Sequence, residues 1–472
     1  MSDVSRRAFL QGSAVVAAGA AFAGPFQGYV AWADGGRQSS GYGPLAPVPD
    51  LFDGSVRLAL PRGFSYRSFH HQGSVIEDGT VVPGRHDGMS TFKGSRGRSI
   101  IVRNHEINGP GTPLGDASKA YDPNTAGGTI TFEVDGRGNA RDAFVSCNGT
   151  QMNCAGGTTP WDSYLSCEET VNGDDVGPDF TGAPNTGLLK HGYLFEIPAR
   201  GESDRVPIRA AGRFAHEAVV MDDDGSVVYE TEDNFNFPSG FYRYLPPGRP
   251  RQDRRIRDGG TLQALKVKGA DNADLSVGLP NGLELDVEWV TIDDPDPTFA
   301  VGTTNDQAIS AVGEQGRGKG AAIFSRLEGI ARDRGRIFFT STQGGALAPG
   351  DDPPVGFGDG RGQVWSYHPG RESLTLVYES PGSATLDLPD NIEISSRGTI
   401  VLCEDGLGDN FVRGLTRKGE VFDFARNIDA AQVGQEFAGA AFSHDHRTLF
   451  VNIQSATGYS VAIWGPWDRG PF

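Results

Sequence analysis

The sequence predicts an all-β protein, a six-bladed β-propeller with a long insertion between its third and fourth repeats. Three observations carry this reading. Six runs share one form, a charged or glycine turn, then alternating β-branched or aromatic residues, then an acidic or amide cluster: "RSIIVRNHE" (98–106), "DSYLSCEE" (162–169), "GSVVYETED" (225–233), "GRIFFTSTQ" (335–343), "GTIVLCEDG" (398–406) and "RTLFVNIQ" (447–454). Each is followed by a second strand of a common kind ("GTITFEVD", "GYLFEIP", "GFYRYLP", "GQVWSYHP", "GEVFDFA", "VAIWGPW"). Each is preceded by a third, which begins "RHDGMSTF", "NCAGGTTPW", "FAHEAVVMD", "SRLEGIARD", "LPDNIEIS" or "EFAGAAFS".

Alternation over short runs bounded by Gly, Asn, Asp and Pro is the signature of strands. Six copies of a strand unit stack radially, because that arrangement leaves only short, protected sheet edges. The central runs start at 98, 162, 225, 335, 398 and 447, mostly about 63 residues apart. The long interval before 335 therefore holds an insertion, roughly 250–320, charged and glycine-rich ("PPGRPRQDRRIRDGG", "VGEQGRGKGAA") and expected to arch over one face. Gly 67 and Pro 29 agree with many turns and few long helices.

The N-terminus is read as an export signal. Arg6 and Arg7 precede Phe9-Leu10 and a mildly apolar Ala/Gly run with small-residue sites at Ala21-Phe22-Ala23 and Ala31-Trp32-Ala33. This is the pattern of a twin-arginine signal cleaved near 23 or 33, and the apolar run is too short to span a bilayer. The expected layout is a signal over 1–33 and one propeller domain over 34–472, acting in the periplasm or outside the cell after passage through the twin-arginine machinery. That pathway carries folded proteins, often with a cofactor in place. No later stretch is apolar enough to span, and the mature chain is expected to be a soluble monomer.

The net charge of −18 excludes a nucleic-acid partner, which needs basic surface, and leaves many carboxylates for cations. Cys147, Cys154, Cys167 and Cys403 make no dense disulfide framework and match no zinc-ribbon spacing. In an antiparallel hairpin the start of the first strand and the end of the second lie at one edge. Asp87 and Glu106, Cys154 and Glu169, Glu217 and Asp233, Glu328 and Gln343, Asp390 and Glu404, and Glu436 and Gln454 therefore pair at one rim, at the mouth of the central channel. Such a ring repels itself unless cations sit among its members. Carboxylates suit calcium, and the Cys154 thiolate suits iron or another transition metal.

"NCAGGTTPWDSYLSCEE", "GRFAHEAVV", "FSRLEG", "LPDNIEIS" with "LCEDG", and "FAGAAFSHDHRTLFVNIQ...AIWGPW", with "RHDGM" and "VRNHE" upstream, resemble the PhoX-type alkaline phosphatases along nearly the whole mature chain. The resemblance implies a propeller whose centre holds calcium and iron and hydrolyses small phosphomonoesters. It implies Cys154 as the iron-bound thiolate, Glu169 with its neighbour Glu168 as metal-binding carboxylates, Glu217, Glu328 and Asp390 as further ligands, and Arg326 as the phosphate-gripping arginine. His105 and His216 are read as groups that orient ligands. The family's phosphate-binding lysine near the fifth repeat has no counterpart, since "YESPGSATLDLPDN" holds neither Lys nor Arg. Two other chemistries compete: a lactonase-type propeller hydrolase with one calcium and no thiolate ligand, and a non-catalytic calcium-stabilised binding propeller.

Overall fold

The structure, a computed structural model, describes residues 41–472; the export signal read over 1–33 lies outside these residues. The described chain is built almost wholly of antiparallel strands. The first repeat is a four-stranded sheet, His86–Lys93, Ser99–His105, Gly127–Val134 and Ala140–Thr150, and the second a three-stranded one, Asn153–Thr158, Ser163–Glu168 and Leu194–Pro198. The fifth repeat (Pro389–Ile394, Ile400–Glu404, Phe411–Leu415, Val421–Asn427) is extended at its outer edge by Val56–Pro61 and Leu45–Pro49. The sixth (Phe437–Phe442, Thr448–Ile453, Tyr459–Trp464) is completed by Ser65–Phe69 from near the other end of the chain, in register Ser460 with Phe69 to Trp464 with Ser65.

The third and fourth repeats correct the expectation of a six-bladed propeller. Thr261–Val267 and Glu284–Thr291, both from the 250–320 insertion, do not arch free over a face. They extend the third repeat from Phe241–Leu245 and then pair with Ser373–Glu379 of the fourth, Glu284 opposite Thr375 and Asp286 opposite Ser373. One nine-stranded sheet results, running from His216–Met221 to Leu327–Asp333. Its first and last strands lie side by side, and the Thr231 hydroxyl of the neighbouring Val228–Glu232 strand donates to the Glu328 carbonyl of the last. The molecule is thus a four-bladed propeller joined to a nearly closed nine-stranded barrel. The physical reason is edge pairing: two outer edges with unpaired N–H and C=O groups are satisfied by the inserted strands instead of being left exposed. The barrel is filled by Phe241, Phe339, Trp365, Tyr367 and Phe324, with the Phe241 and Phe339 rings stacked at 4.4 Å between centroids.

The six first strands still surround one axis. His86–Lys93 neighbours Asn153–Thr158, and the contacts continue through His216–Met221, Leu327–Asp333, Pro389–Ile394 and Phe437–Phe442 back to His86–Lys93. Small residues permit this approach. A Cβ on Gly88 would lie 2.3 Å from the Ala155 Cα, and one on Gly329 2.6 Å from the Ile392 nitrogen. Gly88, Ala155, Ala218, Gly329, Asn391 and Ala440 also line a cavity of about 430 Å³ along the inner strands.

Candidate metal centre

The centre is made by one local device used repeatedly. In each of the first five repeats the inner hairpin begins with a single ladder pair, His86 with His105, Asn153 with Glu168, His216 with Glu232, Leu327 with Ser341 and Pro389 with Glu404. A β-bulge follows immediately, two residues facing one. Its first residue is Asp87, Cys154, Glu217, Glu328 or Asp390, and its second is small or an amide. A bulge re-aims a side chain that regular pleating would send elsewhere, and it is a common device beside active sites. In the sixth repeat the bulge falls later, at Gly439-Ala440, and Glu436 before the strand takes the inward place.

The hairpin ends close in the same way all round. The residue just past the return strand donates its N–H to the carbonyl of the residue just before the inner strand: Glu106 to Arg85, Glu169 to Met152, Asp233 to Ala215, Thr342 to Arg326, Asp405 to Leu388 and Gln454 to Glu436. Glu106, Glu169, Asp405 and Gln454 bring their side chains to bulge residues, whereas the Asp233 carboxylate pairs with Arg326 and the Thr342 hydroxyl donates to the Pro389 carbonyl. Three groups of ligand atoms lie within 4.8 Å of one another: Glu106, Cys154 and Glu169; Glu217, Glu328 and Asp390; and Asp390, Asp405 and Glu436, with Asp390 shared. The Cys154 thiol donates to Glu169 Oε2 at 2.8 Å, and Gln454 Nε2 donates to both Asp87 and Glu106 at 3.0 Å. Arg326 pairs with Asp233 through Nε and Nη2 and places Nη2 2.9 Å from Glu328 Oε1, while its guanidinium lies over the Phe235 ring at 5.1 Å.

Burial and mutual repulsion set the electrostatics. Burial, then the surrounding carboxylates, raises Asp87, Glu217, Glu328 and Glu436 well above the usual carboxylate range, and Glu169 with them. Glu106 and Asp405 are pushed up to about 7 and Asp390 to about 6, again chiefly by burial. The Cys154 thiol is raised well above its ordinary value by burial and then by Glu169 and Glu217. Burial opposes the charge on Arg326, but Asp233 and Glu328 outweigh it. Carboxyl groups this crowded ionise together only when cations lie between them, and the oxygen-rich sets with one thiolate fit hard cations plus one softer metal. The donor set therefore fits metal ions.

A family model for alkaline phosphatase PhoX matches residues 40–143 and 119–457. The chain belongs to the PhoX alkaline phosphatase family. Among solved structures, Pseudomonas fluorescens PhoX in complex with vanadate, a transition-state analogue, is similar at 20% identity and a TM-score of 0.62, over 90% of this chain and 98% of that one. Virginiamycin B lyase from Staphylococcus aureus (10% identity, 85% and 99% covered, TM-score 0.39) and a gluconolactonase from Xanthomonas campestris (10%, 90% and 98%, 0.38) are more distant. No curated protein matches the sequence. As a PhoX-family protein it is a hydrolase, a metal-dependent alkaline phosphatase acting on phosphate monoesters outside the cytoplasm.

Of the residues expected at this PhoX centre, Cys154, Glu169, Glu217, Glu328 and Asp390 come together and Arg326 joins them. Glu168 does not. It ends the strand that Glu169 follows, and successive side chains of extended backbone point to opposite sides. Its carboxylate instead accepts from the Gln151, Gly192 and Tyr193 N–H groups and meets His191 Nδ1 at 2.6 Å. Glu404 is likewise spent on Arg413 and two backbone N–H groups, so the rim pairing of Asp390 with Glu404 moves to Asp405; in the fourth repeat Gln343 donates to the Val355 carbonyl instead of meeting Glu328, and the closing position is held by Thr342. Placing Cys167-Glu168-Glu169 over Cys403-Glu404-Asp405 would have shown Asp405 in the sequence. His105 and His216 bond to the Gly84 and Gly212 carbonyls, away from the clustered ligands.

His191 is enclosed by Glu168 and Asp122. Burial lowers its pKa, but the two carboxylates outweigh that and raise it to about 9. A raised folded value stabilises fully below the unfolded value near 6.5 and is lost as pH rises through about 9. Thermal melts from pH 6 to 10 are expected to show this loss in the wild type and less of it in Glu168→Gln, where Asp122 alone remains to hold the proton.

Proposed function

We propose that phosphate monoesters are hydrolysed at the three ligand groups at the inner-strand bulges, with calcium among the carboxylates, iron at Cys154 and Arg326 on the phosphoryl group. The single observation that supports this most is the bulge repeated in five hairpins, which mounts Asp87, Cys154, Glu217, Glu328 and Asp390 around one axis. Glu217, Glu328, Asp390, Asp405 and Glu436 supply the oxygen ligands, and Cys154 with Glu106 and Glu169 the mixed set. When bound, the cations withdraw charge from the phosphoryl oxygens and position the attacking oxygen.

The chain's own residues do the rest. Arg326 is fixed by Asp233 on one edge and by the Phe235 ring on a face, so its remaining donors are held ready for charge that grows in the transition state. The Cys154 thiol donates to Glu169, and it would give up that proton on serving as the thiolate ligand. Export through the twin-arginine pathway, read from Arg6 and Arg7, fits a protein that folds around its metals before crossing the membrane. No helix among the described residues is long and apolar enough to cross a membrane.

The test is hydrolysis of p-nitrophenyl phosphate beside hydrolysis of a simple lactone, with calcium and iron supplied. Turnover of the phosphate ester alone is expected. Turnover of the lactone alone would assign lactonase chemistry, and turnover of neither would leave a binding protein.

A further inference from the structure

We infer that Arg85 is a second guanidinium of the substrate site, which binds the phosphoryl oxygens from the side facing Arg326. This rests on the phosphatase reading above and extends it to a residue outside the set described there.

The inference comes from position within the repeat. Arg85 precedes the first ladder pair of its hairpin, and Arg326 precedes that of its own. Each carbonyl receives the closing N–H, from Glu106 at 2.9 Å and from Thr342 at 2.9 Å, and each residue stands two before a bulge carboxylate, Asp87 or Glu328. Both have a left-handed backbone, φ 54° and 39°, which Met152 and Leu388 share at the same place in their repeats. The conformation thus belongs to the hairpin closure, and the fold mounts there Arg, Met, Ala, Arg, Leu or Glu. Side chains in sparsely populated backbone conformations collect at ligand sites. Going round the axis, two inner strands separate the arginine-bearing pair in either direction, so Arg85 and Arg326 stand on facing sides of it.

Their present contacts differ, and that difference points to a ligand. Arg326 is buried and spends Nε and Nη2 on Asp233 and Glu328. Arg85 has a side chain 55% exposed, and its charge contact is a long one of 4.0 Å, from Nη1 to Glu106. Among the described residues its guanidinium has no hydrogen bond. Glu106 belongs to the Cys154 group, so Arg85 stands at the edge of the metal centre with its fork of donors open. A guanidinium in that state matches two oxygens of a phosphoryl group bidentately. The chemistry recognised is the phosphate dianion itself, whether as ester or as free product.

The experiment measures inhibition by inorganic phosphate, the KM and kcat for p-nitrophenyl phosphate, and metal content, for wild type, Arg85→Ala and Arg85→Lys. Arg85→Ala is expected to weaken phosphate inhibition and raise KM by about ten- to a hundredfold, the effect of losing charged hydrogen bonds. Metal content stays as in wild type, and Arg85→Lys recovers part of the loss. Unchanged inhibition and KM would overturn the inference, as would losses that merely follow a fall in bound metal. Either result in an active wild type leaves the phosphatase reading standing, whereas a wild type that hydrolyses no phosphate ester sinks that reading instead.

Discussion

Arg326→Ala is expected to lower phosphate ester turnover on the order of a hundredfold or more, the effect of removing one donor aimed at transition-state charge, about 3–4 kcal/mol. The side chain is buried between Asp233 and Glu328, so its removal also has a structural cost. Leaving Asp233 buried and unpaired destabilises by roughly 3 kcal/mol, and a metal at Glu328 limits the damage on the other side. Arg326→Lys separates the two effects. It keeps the charge beside Asp233 but cannot make the paired contact, so stability returns while turnover recovers only in part. Metal content, melting temperature and p-nitrophenyl phosphate hydrolysis measured on all three proteins check this. Equal turnover in the three would remove Arg326 from the reaction.

Cys154→Ala is expected to remove the softer metal and with it nearly all activity. Merely disturbing the partners of a ligand lowers affinity or activity by about ten- to a hundredfold, and loss of the thiolate itself should exceed this. Glu217, Glu328, Asp390, Asp405 and Glu436 form the two groups that do not include Cys154, so calcium is expected to be retained there. The bulge at Cys154-Ala155 survives, because the Asn104 amide holds both the Cys154 and Ala155 carbonyls at 2.8 Å. Iron analysis, calcium analysis and far-ultraviolet circular dichroism together read the outcome. Stoichiometric iron in the variant would refute the thiolate assignment.

Much of the centre is legible in the sequence because the repeats carry it in plain view. "HDG", "NCA", "HEA", "LEG" and "PDN" each place a ligand atom before a small residue or an amide, and the structure turns each into a bulge. What the letters do not show is where the ladder stops. Glu168 and Glu169 are chemically alike, and only the pairing of Asn153 with Glu168 settles which one faces inward. The same one-residue shift separates Glu404 from Asp405. The fusion of the third and fourth repeats was hidden for a different reason. Glu284–Thr291, itself paired with Thr261–Val267, finds its other partner about ninety positions further on at Ser373–Glu379, and local alternation carries no record of a partner so distant. Arg85 stood in the "RHDGM" motif, but its likeness to Arg326 appears only once both are seen to close a hairpin.

The central claim is that the hairpin bulges hold the metal ions on which hydrolysis depends, with Cys154 as the thiolate ligand. Anomalous diffraction at the iron edge, from crystals of exported protein shown to hydrolyse p-nitrophenyl phosphate, tests it most directly. The account predicts a peak about 2.3 Å from Cys154 Sγ, an ordinary metal–thiolate distance, with Glu106 and Glu169 beside it. An active protein whose crystals show no metal at Cys154 would contradict it.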